Sequence, residues 1–159
     1  MRNDLQEIKP GYGLGIIKFG MTRDEVKAVL GEPNEIDSFS YTDDDQELTE
    51  TWEYESLGLS LNFDEEDDWR LVLISVTDDY YRLQGKEVIG QTKDNVLAIL
   101  KELDLGFINL NETENDDPDN QRISLELLGL DFWFDYDILD EIQLSPQFID
   151  DDTIKWPDT

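Results

Sequence analysis

Between Leu57 and Phe63 every second residue is apolar: Leu57, Leu59, Leu61 and Phe63 alternate with Gly58, Ser60 and Asn62. A period of two predicts a strand with one buried face. Thr51-Trp52-Glu53-Tyr54-Glu55 alternates in the same way, with Trp52 and Tyr54 on one side, and Arg70-Leu71-Val72-Leu73-Ile74-Ser75-Val76 reads as a further strand. The acidic run Asp64-Glu65-Glu66-Asp67-Asp68 separates the last two as a hairpin loop would. Upstream the period changes. Val26, Val29 and Leu30 recur at helical spacing behind Thr22, an N-cap candidate with Glu25 in capping-box position. Gly31 and Pro33 stop that helix. Residues 1–13 read as a lead-in ending in the turn Pro10-Gly11-Tyr12-Gly13, and Asp43-Asp44-Asp45-Gln46-Glu47 reads as an acidic turn.

The same order of patterns returns. Gly20–Leu30 matches Gly90–Leu100 at six identical positions, including the cap candidates Thr22 and Thr92. Leu57–Asp64 matches Leu128–Asp135, and Ile74-Ser75-Val76 matches Ile142-Gln143-Leu144. The second helix is expected to end at Gly106, followed by a polar loop containing Asn115-Asp116-Asp117-Pro118-Asp119-Asn120. These blocks predict an α+β fold: a tandem duplication of a helix plus antiparallel meander unit, with the helices packed on one face of a sheet. The halves are residues 1–79 and 80–159, joined into one compact body, and the second ends in an acidic tail that is expected to be loosely held, with Ile154 and Trp156 as its candidate docking residues.

Composition narrows the chemistry. Cysteine and histidine are both absent, which removes thiolate and imidazole catalysis and most zinc sites. No phosphate-binding glycine loop or serine-nucleophile motif is present, so catalysis is not expected and no cofactor is implied. Forty acidic residues against twelve Lys and Arg give a net charge of −28. Such a chain is repelled by nucleic acid and by anionic membranes and attracts basic proteins, with electrostatic steering worth factors of roughly 10 to 1,000 in encounter rate at low salt. The start has no apolar signal-peptide core, and no apolar run is long enough for a membrane span, so a cytoplasmic location is expected.

Gly20-Met21-Thr22, Val26, Leu30-Gly31, Pro33, Thr51-Trp52, Tyr54, Leu59, Leu61, Phe63, Leu71 and Ile74 together resemble the small outer-membrane-assembly lipoproteins of the SmpA/OmlA type. That fold is shared with β-lactamase inhibitory protein. The resemblance covers residues 14–76 well and 83–144 more weakly. It implies a fold that binds other proteins on an open sheet face.

The residues that stand out for binding lie on that face. Gly129, Asp131, Trp133 and Asp135 alternate with the apolar side of their strand, so Trp133 is an indole flanked by acids. Leu71 and Leu73 join the same side if Val72, Ile74 and Val76 pack beneath the helices. An aromatic amid carboxylates suits the hot spot of a basic partner. The expected partner-binding set is therefore Trp133, Asp131, Asp135, Leu71, Leu73, Asp64, Glu65, Glu66, Asp67 and Asp68. Its expected use is as an immunity or inhibitor protein that occludes a basic partner such as a toxin nuclease. The competing expectations are a structural or assembly module in which acidity serves only solubility, and calcium held by the two acidic loops, neither of which has EF-hand spacing.

Overall fold

A computed structural model describes residues 5–40, 48–103, 109–111, 120–125, 128–150 and 153–156. The acidic turn at 43–47, Gly106 and most of the polar loop at 112–119 lie outside these residues.

The long strands form where the sequence alternates. Strands β4 (Glu35–Ser40), β5 (Leu48–Tyr54), β6 (Leu59–Asp64) and β7 (Arg70–Val76) come from the first half. Strands β10 (Asn109–Asn111), β11 (Asn120–Leu125), β12 (Leu130–Asp135) and β13 (Ile138–Leu144) come from the second. They build one eight-stranded sheet in the order β10-β11-β12-β13-β7-β6-β5-β4, with β13 and β7 antiparallel at its centre. Leu59, Leu61 and Phe63 of β6 and Leu130, Phe132 and Phe134 of β12 enter one continuous buried cluster.

Two helices join that cluster. Helix α1 (Arg23–Leu30) buries Val26, and α2 (Lys93–Glu102) buries Val96 and Leu100. The cap at α1 is reciprocal: Glu25 N–H donates to Thr22 Oγ1 at 3.2 Å, and Thr22 N–H donates to Glu25 Oε1 at 3.1 Å. At α2 only the forward bond exists, from Asn95 N–H to Thr92 Oγ1 at 3.3 Å. Helix α2 stops at Glu102 with Leu103 as its C-cap, earlier than the Gly106 stop expected from the sequence.

The expected α+β class is corrected. Strands hold 50% of the structure and helical residues 21%, so the chain is mostly β, not a tandem duplication with helices laid on a sheet. The reason is local. The lead-in at residues 1–13 and the stretches before each helix hold strands too short to show a period: β1 (Glu7–Lys9), β2 (Gly13–Leu14), β3 (Ile17–Lys18), β8 (Arg82–Leu83) and β9 (Lys86–Glu87). They form a second sheet, β3-β2-β1-β8-β9, in which β1 and β8 pair in parallel. Ile8, Leu14, Ile17 and Leu83 of this sheet are fully buried with the large-sheet residues, so much of the core is covered by strand instead of helix.

The tail carries a hairpin and docks through Trp156, one of its two candidate residues. Strands β14 (Gln147–Asp150) and β15 (Thr153–Lys155) form a hairpin. Trp156 follows and lies on Gly20, where a Cβ would stand 3.1 Å from the indole, with the Arg70 guanidinium 5.6 Å from the ring centre.

Both central hairpins contain a β-bulge. Asn62 pairs with Leu73 and Phe63 with Leu71, which leaves Val72 unopposed. Trp133 pairs with Glu141 and Phe134 with Leu139, which leaves Asp140 unopposed. A bulge adds one residue and shifts the side-chain alternation beyond it. Leu71 and Ile74, an odd number of positions apart, are therefore both buried, as are Leu139 and Ile142.

Candidate acidic docking face

The side of the large sheet away from the buried cluster carries two kinds of surface. In the first half it is a ladder of satisfied polar pairs. Thr49 Oγ1 donates to Asp64 Oδ1 at 2.7 Å, Thr51 Oγ1 to Asn62 Oδ1 at 2.8 Å, and Ser60 Oγ to Glu53 Oε2 at 2.5 Å. These pairs give the surface rigidity and leave few lone pairs for a visitor.

In the second half the strands present Trp133. Its indole N–H donates to Gln143 Oε1 at 3.1 Å, and Gln143 Nε2 donates to Glu141 Oε2 at 2.9 Å. The Arg122 guanidinium of β11 lies 5.1 Å from the ring centre, so this ring face already holds a cation. On the β13 side is an open cavity of about 320 Å³, lined by Trp133, Phe134, Asp135, Asp140, Glu141 and Gln143. Asp140 is the unopposed bulge residue, and Asp135 and Asp140 are exposed. Asp131 sits two residues from Trp133 on the same face, where its Oδ1 accepts the Ser124 hydroxyl at 2.6 Å. Among the described residues no three Asp or Glu converge as metal ligands. The carboxylates are spread along strand and turn, an arrangement that suits several separate cationic side chains.

The structure thus brings Trp133, Asp131 and Asp135 together and separates them from the rest of the expected set. Leu71 is a correction: it is fully buried, because the bulge at Val72 turns it into the core. Leu73 is half-buried on the open side, where it shares a cavity of about 230 Å³ with Val72, Pro146, Phe148 and Ile154. The C-terminal hairpin therefore flanks the place where Leu73 was expected to be free. Asp64, Glu65, Glu66, Asp67 and Asp68 form the β6–β7 turn, with a single 3₁₀ turn over Glu65–Asp67. Burial raises the Asp67 carboxyl above its ordinary value, and the negative charges of Asp64, Glu66 and Asp68 add to the shift. Because β7 and β13 run antiparallel, the β6–β7 turn and the β12–β13 turn lie at opposite ends of the sheet. Ten residue steps along the strand axis put them roughly 30 Å apart.

Asp140, Glu141, Gln143 and Arg122 are the site residues that sequence reasoning missed. The signal was the spacing of Leu139 and Ile142. Two core residues an odd number apart on one strand require a bulge between them, and that bulge exposes Asp140.

No family model, curated protein or solved structure matches the chain. No helix among the described residues is long and apolar enough to cross a membrane.

Proposed function

We propose that the chain is a protein-binding module whose docking surface centres on Trp133. In its most concrete form it is a cytoplasmic immunity or inhibitor protein that occludes a basic partner such as a toxin nuclease. The observation that carries this reading is the cavity beside Trp133, with Asp135, Asp140 and Glu141 around a half-buried indole. The N–H of that indole is held by Gln143, so the ring enters the interface already oriented. Arg122 on its other side is an internal example of the contact a partner's Arg or Lys would make. The mechanism is occlusion. The net charge of −28 speeds encounter, and the carboxylates pair with the cationic groove of the partner. The aromatic anchor supplies the desolvated centre. The protein-binding role implied by the resemblance to the outer-membrane-assembly lipoproteins agrees with this reading.

The test is capture from lysate of the producing cell on immobilised protein at low and high salt, with Trp133→Ala in parallel. Basic proteins should be retained at low salt and released near 1 M, where the screening length falls to about 3 Å. They should also be lost from the Trp133→Ala column. Equal capture by both columns, or no enrichment of basic proteins, overturns the proposal.

A further inference from the structure

One end of the large sheet is β4, the longer of its two edge strands. Along Glu35–Ser40 the strand pairs with β5 without a break in register, from Glu35↔Glu53 to Ser40↔Leu48. No described strand pairs with its outer side. Free edges in natural sheets are commonly blunted by a bulge, a proline or a lysine. The β4 strand has no bulge, proline or lysine, and the only charges along it are the acids Glu35 and Asp37.

Its two faces differ. Ile36 lies opposite Trp52, on the side facing the buried cluster, yet stands 49% exposed while Trp52 is 4% exposed. The apolar face of the sheet is thus open to solvent at this edge. On the other face Glu35 and Asp37 alternate outward, and Glu35 is directly opposite Glu53. Like charges paired across strands are unfavourable. The ion pairs among the described residues, Arg23–Glu50, Lys27–Glu32 and Lys86–Glu102, include none of these three carboxylates.

We propose that β4 is a strand-addition site that takes an extended segment of a partner protein in which Lys or Arg alternates with aliphatic residues. Main-chain hydrogen bonds to the free edge supply the pairing. The cations meet Glu35 and Asp37, and the aliphatic residues cover Ile36. The same acids disfavour a second copy of this chain, which would set carboxylate against carboxylate. Charge therefore selects the occupant and protects the edge from self-association. The site stands apart from Trp133, which lies toward the far end of the strand order.

The test uses a short fluorescent peptide alternating Lys and Val, with the isotopically labelled full chain observed by NMR. Two control peptides replace Lys by Glu or N-methylate alternate amides. Binding should shift and protect amides of Glu35–Ser40. N-methylation and Asp37→Lys should each weaken it by at least about tenfold, the scale of a net hydrogen bond or two, and Trp133→Ala should leave it unchanged. An N-methylated peptide that binds within about twofold of its parent would show ionic attraction alone and overturn the proposal. So would equal binding of the Glu peptide, or amide shifts centred away from β4. Loss of binding in Trp133→Ala would do the same, because it would place the peptide on the other surface.

Discussion

The two bulges occupy equivalent places in their hairpins but have different neighbours. At the first, Val72 and Leu73 are apolar and share a cavity with Pro146, Phe148 and Ile154 of the C-terminal segment. At the second, Asp140 and Glu141 border an open cavity beside Trp133. The backbone device is the same, since both hold a leucine in the core against a helix entrance. Gly20 N–H donates to Leu71 O at 3.0 Å and Leu71 N–H to Met21 O at 2.9 Å. Gly90 N–H donates to Leu139 O at 2.8 Å and Leu139 N–H to Gln91 O at 2.9 Å. One copy of the device consolidates the fold, and the other leaves acids and an indole facing solvent. A kink in a strand is thus a neutral scaffold whose use depends on which side chains it turns outward.

The strongest challenge to that comparison is Leu71→Ala beside Leu139→Ala. Both should lower unfolding free energy by about 2–5 kcal/mol, as for large core truncations, read from urea midpoints. A small effect at Leu71 would place it back on the surface. Next, Trp133→Ala should weaken a captured basic partner by about 2 kcal/mol or more with little change in stability, whereas Leu73→Ala should leave affinity unchanged. Kinetic binding measurements at fixed salt separate the two. Third, Trp156→Ala should free the C-terminal hairpin at a cost of about 1–3 kcal/mol and speed amide exchange at Val72 and Leu73 but not at Asp140 and Glu141.

Titration sharpens the contrast between the halves. Tyr54 is buried and donates to the Gly31 carbonyl at 2.9 Å. Burial, with the charge of Glu32 adding to it, pushes its hydroxyl up to about 12. The unfolded chain therefore loses that proton first, and stability should fall as pH rises from about 10 through about 12. Leu125 holds the matching place, paired with Leu130 as Tyr54 is with Leu59. Tyr54→Phe should flatten part of the alkaline decline in a melting-temperature series. The smallest effect belongs to the caps. Thr22→Ala should cost about 1 kcal/mol and Thr92→Ala somewhat less, because only Thr22 has the reciprocal partner. Hydrogen bonds from the Thr22 backbone and hydroxyl hold the Glu25 carboxyl below its ordinary value. Its contribution is present above the ordinary carboxylate range and is lost as pH falls through the lowered value. Circular dichroism of Thr22→Ala and Glu25→Gln at acid pH reads this directly.

Much of this was legible in the residues. Alternation located β6 and β12, and the threonines located both helix starts. What failed did so for physical reasons. Strands of two or three residues, such as Gly13–Leu14 and Arg82–Leu83, are shorter than one readable period, so the second sheet was invisible and the class came out too helical. Leu71 was placed on the wrong face because strict alternation has no room for an extra residue. Trp133, Asp131 and Asp135 were placed on the open face of β12 because nothing interrupts that strand before the bulge, whereas Asp140 and Glu141 lie on the strand whose register shifts.

The central pairing of β7 with β13 has a consequence for synthesis. Ile74 is bonded to Leu144, a partner that leaves the ribosome seventy residues later. At about 5–20 residues per second, the nascent first half waits several seconds with that strand edge bare. Translation speed across the second half, and any chaperone holding the emerging chain, would then govern yield more than the stability of the finished protein.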